Sequence, residues 1–290
     1  MGNILEKLII TKPFLKWAGG KSQLIEEIDK RLPEGLRSAE IDTYVEPFVG
    51  GGAVFFHIAQ NYPIKHIYLF DINQDLVNCY LAVKQNVKSL ITELRQLENS
   101  FLAQSQSRRE KFYYRIRGEF NKDRSPVKLI FLNKTCYNGL YRVNRNDEFN
   151  VPFGGYKKPK ICDAENLRNA SEVLQCAELI CGDFEKSEKY INGHTFVYFD
   201  PPYRPLSATA SFTSYSKDSF SENDQKRLAL FCKKLDQKGA KFLLSNSDPK
   251  DGFFEEHYNG FNIERVKASR AINCKAAGRG AVSEIIIVNY

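Results

Sequence analysis

Apolar positions along this 290-residue chain follow two rhythms. Toward both ends they cluster in short runs: Thr43 to Phe48, His66 to Asp71, Glu178 to Asp183, Thr195 to Asp200 and Lys241 to Ser245. Runs of this length, most of them ending on an acidic or small polar residue, predict parallel strands that carry ligand-binding groups at their carboxyl ends. Two more runs, Phe261 to Ala268 and Ser283 to Tyr290, predict a closing hairpin through a turn at Gly278-Arg279-Gly280. Between about residues 76 and 169 the spacing becomes helical. Val87, Leu90, Ile91, Leu94 and Leu97 share one helix face, as do Phe112, Ile116 and Phe120, and stripes of this kind are core. The expected architecture is an α/β domain made of residues 1–75 and 170–290, with a mostly parallel sheet and a C-terminal antiparallel hairpin. A largely helical insertion spans 76–169. No internal repeat or low-complexity tract interrupts this plan.

Charge alters the picture because of where it lies. The net charge is +7, yet residues 101–160 hold fourteen Lys or Arg against five Asp or Glu, a local +9, so the other 230 residues sum to −2. The same segment carries eleven Phe and Tyr, among them Tyr113, Tyr114, Tyr137, Tyr141 and Tyr156. Basic residues interleaved with aromatics suit a polyanion whose bases can be stacked, although a solvated helical face explains scattered charge as well. Seven cysteines form no Cys-x-x-Cys pair and the four histidines are scattered, which indicates reduced thiols and no metal site. No apolar window long enough to span a bilayer is present, and Met1 to Lys7 lacks the apolar run of a signal peptide. A cytoplasmic protein with no membrane partner is expected.

The candidate chemistry lies where the run Thr195 to Phe199 gives way to Asp200-Pro201-Pro202-Tyr203. A carboxylate and a prolyl-held carbonyl can accept both hydrogens of a planar NH2, and the tyrosine ring can stack on the heterocycle that bears it. A proline-rich turn closing a strand is the plainer reading of Asp-Pro-Pro alone. Two glycine sites need separating from their lookalikes. Gly19-Gly20-Lys21-Ser22 falls short of a nucleotide-hydrolase loop because Leu15 stands where that loop needs glycine. Gly50-Gly51-Gly52 departs from the dinucleotide fingerprint at Phe55. A different adenosine-bearing ligand is favoured, approaching the glycine backbone closely, with Asp71 accepting from its ribose.

Six motifs in register carry a resemblance: Phe14 to Lys21, Glu46-Pro47-Phe48-Val49-Gly50-Gly51-Gly52, Asp71-Ile72-Asn73, Tyr137-Asn138-Gly139-Leu140-Tyr141-Arg142, Phe149 to Gly154, and Asp200 to Tyr203. From about residue 13 to the C-terminus the chain resembles the Dam family of DNA adenine-N6 methyltransferases, in the order of its α-type members. The resemblance implies a Rossmann-like methyltransferase core with an inserted target-recognition domain. It also implies S-adenosyl-L-methionine as donor and double-stranded DNA, with GATC as the target. Trp17 would cover the donor's adenine and Lys21 would lie near its methionine end. Glu46, Pro47, Phe48 and the glycines from Gly50 would floor the pocket, Asp71 would hold the ribose, and Asp183-Phe184 would lie around the adenine.

For catalysis, Asp200 and the carbonyl of Pro201, framed by Pro202, would accept the amine's hydrogens so that its lone pair can attack the methyl directly. Tyr203 would stack on the flipped base. No Pro-Cys pair occurs, so no protein nucleophile is expected. For DNA, Lys16 would approach the first guanine, Leu140 and Pro152 the thymine, and Arg142 the last base pair, with Tyr137 and Asn138 bracing the vacated space. Asn144, Asn150 and Tyr156 complete the expected DNA-binding set. One departure stands out. Family members often show Gly-Arg-Tyr-Lys where this chain has Gly154-Gly155-Tyr156-Lys157, which removes an expected backbone contact that Lys157, Lys158 and Lys160 could replace. Cytosine-N4, RNA or protein amide methyl transfer, adenine methyl transfer at a different recognition sequence, or a non-catalytic DNA-binding module, are the alternatives. A cognate restriction endonuclease in a bacterial or phage setting is a possible partner.

Overall fold

The computed structural model describes residues 11–204, 220–269 and 281–290. The expected turn at Gly278-Arg279-Gly280, Cys274 and the segment Met1 to Lys7 lie outside the described residues. Strands β1 (Thr43–Glu46), β2 (His66–Asp71), β3 (Ala177–Cys181), β4 (Thr195–Phe199), β5 (Lys241–Ser247), β6 (Asn262–Ser269) and β7 (Ala281–Val288) form one sheet in the order β3-β2-β1-β4-β5-β7-β6. β1 to β5 are parallel, and β7 runs antiparallel between β5 and β6. The fold is therefore the mostly parallel sheet with an antiparallel end that the sequence led us to expect. Each strand alternates between two apolar layers: Tyr44, Phe196, Tyr198 and Leu243 face one, Val45, Val197, Phe199, Phe242 and Leu244 the other. A two-residue side-chain period, with both faces covered, requires this division.

Helices α1 (Ile25–Asp29), α2 (Glu34–Arg37) and α3 (Ala53–Asn61) precede β2, and α4 (Gln74–Leu102), α5 (Gln106–Asp123), α6 (Pro126–Thr135) and α7 (Ala164–Leu174) separate β2 from β3. After β4 come α8 (Glu222–Gln237) and α9 (Phe253–His257). α4 begins where the Asn73 side chain accepts the Leu76 N–H, and it bends at Asn86, whose φ of −134° leaves the helical region. It touches β2 and β3 as well as α5, α6 and α7. The helices therefore share a continuous core with one sheet face, in which Leu90, Ile91 and Leu94 join Ile116, Phe120 and Phe131. Residues 75/76 and 169/170 fall inside α4 and α7. No helix among the described residues is long and apolar enough to cross a membrane.

Candidate functional site

β4 lies between β1 and β5, so the residues that follow it emerge at the middle of the sheet's carboxyl edge. Asp200 there is gripped by Lys21, whose Nζ lies 2.7 Å from Oδ1 and 2.8 Å from Oδ2, and which also donates to the Gly19 carbonyl at 2.7 Å. Lys21 is only 5% exposed. Its ammonium stands 4.6 Å over the Tyr203 ring, whose hydroxyl donates to Glu284 at 2.9 Å. Ser245 adds a longer hydrogen bond to Asp200 Oδ1 at 3.3 Å.

The loop is pinned from beneath as well. Gln225 donates to the Pro202 carbonyl at 2.9 Å, the Arg204 N–H donates to Asn246 Oδ1 at 3.1 Å, and Ser247 donates to the Arg204 carbonyl at 2.7 Å. Gln225, Asn246 and Ser247 are buried, so these bonds satisfy polar groups that water does not reach. Ser245, Asn246, Ser247, Gln225 and Glu284 escaped the sequence reading. Their one signal was local: Ser-Asn-Ser ends an otherwise apolar β5, and Glu284 opens the isoleucine-rich half of β7, whose pairing sets it opposite Ser247.

The turn after β1 forms the neighbouring wall. Gly50 N–H donates to Asp71 Oδ2 at 3.1 Å and Asn73 N–H to Oδ1 at 2.9 Å, so the carboxylate at the end of β2 organises both adjacent turns. Gly50 has φ +47°, and a Cβ there would meet Trp17 Cδ1 at 3.0 Å. Gly52 has φ +73°, and its Cβ would lie 2.5 Å from the Tyr80 hydroxyl, which itself donates to the Gly50 carbonyl at 3.0 Å. Close approach as well as backbone freedom thus demands glycine. Glu46, buried, accepts from Tyr44 at 2.7 Å, and Pro47 is buried behind the turn. Phe48 packs against Phe184, itself buried beside Phe220 and Phe231. Asp183 accepts from the Glu185 N–H and pairs with Arg227 at 3.1 Å. Phe184 is therefore a core residue that meets the turn through Phe48, and Asp183 is a cap partnered by α8.

Burial raises the pKa values of the carboxyls around this turn. It pushes Asp71 up to about 6 and pushes Glu46 well above the usual carboxylate range, with the Asp200 and Asp71 charges adding to the effect on Glu46. Asp200 is also raised by burial, with the Lys21 ammonium opposing. Buried acids that repel one another favour a positively charged ligand between them. Among the described residues no group of His, Cys, Asp and Glu could hold a metal ion.

The expected DNA-binding residues form a second cluster. Bridges pair Cys136 with Phe153 and Val143 with Phe149, folding residues 136–153 back on themselves. Arg142 is exposed, with its Nε anchored to Asn150 Oδ1 at 2.7 Å while the Asn150 N–H donates to the Arg142 carbonyl. The Pro152 carbonyl accepts from Tyr137, and the Tyr156 hydroxyl accepts from the Asn138 N–H at 3.1 Å. Asn138 and Gly139 have φ of +54° and +64°, and a Cβ on Gly139 would stand 2.6 Å from Lys16 Cβ. Buried Asn133 locks this contact by accepting from the Lys16 N–H and donating to the Lys16 and Gly139 carbonyls.

Lys16, Tyr137, Asn138, Leu140, Arg142, Asn150, Pro152 and Tyr156 thereby share one region. Asn144 instead uses its side-chain oxygen on the N–H groups of Asn146 and Glu148, closing the turn. One expectation needs correcting. Tyr113 is wholly buried, donating to the Val151 carbonyl at 2.7 Å, and Phe101, Phe131 and Phe149 join the expected Phe120 in the core. Most aromatics of the basic segment thus build the insertion's interior, whereas Tyr137 at 43% and Tyr114 at 37% are exposed.

Comparison with known proteins matches residues 17–272 to the family of D12 class N6 adenine-specific DNA methyltransferases. The chain is 51% identical to the type II methyltransferase M.MjaIII of Methanocaldococcus jannaschii over 96% of this chain and 99% of that protein. It is 42% identical to the type II methyltransferase M1.LlaDCHI of Lactococcus lactis subsp. cremoris, over 99% of each. The DNA adenine methylase of Escherichia coli K12 shares 38% identity over 95% of this chain and 94% of its own.

Proposed function

The chain belongs to the D12 class of N6 adenine-specific DNA methyltransferases, and from that premise we propose how its site selects and handles the base. It transfers a methyl group from S-adenosylmethionine to the N6 amine of adenine in DNA. We infer that the target is GATC in duplex DNA, that the adenine is turned out of the stack, and that residues 76–169 form the target-recognition domain. The observation that carries this reading is the adjacency of two differently built clusters: carboxyls around a clasped glycine turn, and an exposed Arg142 guanidinium on the hairpin whose Gly139 packs on Lys16.

The donor fits the first cluster because Glu46, Asp71 and Asp200 offer a positively charged ligand the compensation they lack from one another. Trp17 and the backbone from Gly50 would enclose its adenosine, Asp71 would accept from the ribose hydroxyls, and Lys21 would face its methionine end. S-adenosylmethionine supplies an electrophilic methyl on a sulfonium. Asp200 would accept one N–H of the adenine amine and the Pro201 carbonyl the other, drawing the nitrogen toward pyramidal geometry and freeing its lone pair. The Lys21 ammonium opposes the rise that burial imposes on Asp200, and Gln225 and Asn246 hold the loop that presents it. Tyr203, fixed by Glu284, would stack on the extruded ring, whose unstacking costs a few kcal/mol.

In the second cluster Arg142, aimed by Asn150, would read the last guanine through two hydrogen bonds, with Lys16 at the first and Leu140 and Pro152 against the thymine. The type II names of two relatives support a partnership with an endonuclease that reads the same site. Labelled methyl transfer to a GATC duplex and to its single-base variants tests the target: equal labelling of every duplex would defeat the specificity, and 2-aminopurine at the target should brighten on binding if the base leaves the stack.

A further inference from the structure

Tyr141 lies between the two clusters and touches both. It follows Leu140 and precedes Arg142 at the start of the recognition hairpin. Its ring stacks on Trp17 with centroids 5.3 Å apart and an interplanar angle of 28°. The opposite face of the connection is the donor turn, since the backbone of Gly50 runs so close to Trp17 that a Cβ would stand 3.0 Å from its ring. The Tyr141 hydroxyl donates to Asp75 Oδ2 at 2.7 Å, and Asp75 lies in the first turn of α4, four residues after Asp71. Arg124 donates to the same Asp75 oxygen at 2.8 Å and pairs with Asp147 at 2.7 Å, at the far turn of the hairpin. Asp75 is 11% exposed as a side chain, so the node is largely shielded from water. Tyr141 and the hairpin's tip are therefore fastened to the segment that carries Asp71, and Tyr141 also bears on the tryptophan over the glycine turn.

We propose that Tyr141 is a positioning residue that couples occupancy of the donor pocket to the setting of the recognition hairpin, so that bound donor sharpens the reading of DNA. The proposal rests on the assignment above of Trp17 and Asp71 to the donor and Arg142 to the bases. A ligand that orders Trp17 and Asp71 fixes both supports of Tyr141, the stacked ring and the carboxylate, and Arg142 is the next residue along the chain. Coupling of this kind is reciprocal: DNA that fixes the hairpin must tighten the donor by the same factor.

The experiment is a binding cycle with the full chain and S-adenosylhomocysteine, which cannot be turned over. Duplex affinity is measured with and without it, and its own affinity is measured with and without a GATC duplex. Wild type should show matching ratios of about fivefold or more in the two directions. Tyr141→Phe, which keeps the ring and loses only the hydroxyl, should lower the ratio. Tyr141→Leu should bring it close to one, and Asp75→Asn should follow Tyr141→Phe. A wild-type ratio of one, or a Tyr141→Phe and Tyr141→Leu pair that keeps the wild-type ratio, overturns the coupling. Weakened S-adenosylhomocysteine binding by Tyr141→Leu that is the same with and without DNA also overturns it, because Tyr141 is then only a pocket wall. A wild type that does not bind S-adenosylhomocysteine at all overturns the donor assignment itself, and the coupling with it.

Discussion

The loop Asp200 to Tyr203 and the hairpin 136–153 both present functional groups, and they hold them in opposite ways. In the loop, side chains do the gripping: Lys21 and Ser245 on the Asp200 carboxylate, Gln225 on the Pro202 carbonyl, Glu284 on the Tyr203 hydroxyl, most of them buried. In the hairpin, backbone turns and a few carboxamides shape the strand ends, Tyr141 and Asp147 tie it to Asp75 and Arg124, and Arg142 reaches into solvent. Chemistry on a weakly nucleophilic amine gains from polar groups fixed in advance in a dry place. Reading a base edge requires groups that a duplex can reach. The contrast predicts near-complete losses from one region and graded, sequence-dependent losses from the other.

The largest effect tests the first half of that contrast. Asp200→Asn should lower single-turnover methyl transfer roughly a thousandfold, the scale of losing one preorganised electrostatic contact, while the melting temperature stays near wild type. Asn is a cleaner change than Ala because it keeps an oxygen for the Lys21 ammonium to donate to and fills the same space, while removing the charge. Retention of about a tenth of the activity would remove Asp200 from the chemistry. On the other side, Arg142→Ala should cost about 1–3 kcal/mol of discrimination at one base pair, read as kcat/KM on GATC against single-base variants. A uniform loss on every duplex would make Arg142 a backbone contact and weaken the comparison.

Smaller effects sharpen it. Asp71 has a folded pKa near 6 against an ordinary 3.8, so folding by itself favours its protonated form. That contribution to stability is complete below about 3.8 and is lost as pH rises through about 6. Donor binding should run the other way, since ribose hydroxyls donate to the ionised group. Donor affinity should therefore fall by up to about tenfold per pH unit below about 6, and Asp71→Asn should flatten the profile. A titration that is flat in wild type would separate Asp71 from the donor. The smallest change concerns Gly155, which has φ +68° and where an added Cβ would meet nothing within 4 Å, so a side chain there is strained but not crowded. Gly155→Arg should raise the salt slope of DNA binding by about one, with specificity unchanged. An unchanged slope would mean that arginine at this position does not reach a phosphate.

Much of the proposed catalytic edge was legible because its residues are contiguous and lie at strand ends: Asp200 follows β4, Asp71 closes β2, and the glycines follow β1. Its supports were not, because Gln225, Ser245, Asn246 and Glu284 come from α8, β5 and β7 and meet the loop only across the sheet edge. In the basic segment, composition exposed the charge but misread the aromatics. The stripe with Ile116 and Phe120 is core as its spacing predicts, but composition does not show that neighbouring elements also cover Tyr113 and Phe149, which lie outside it.

By itself the sequence determined the strand and helix rhythm, the position of the charge and the local motifs, since each depends on residues a few places apart. Only the tertiary structure decided that Lys21 sits on Asp200, 179 positions away, and that Tyr141 stacks on Trp17. Contacts of that reach depend on sheet order and helix packing, which bring distant residues together without leaving a local periodic trace.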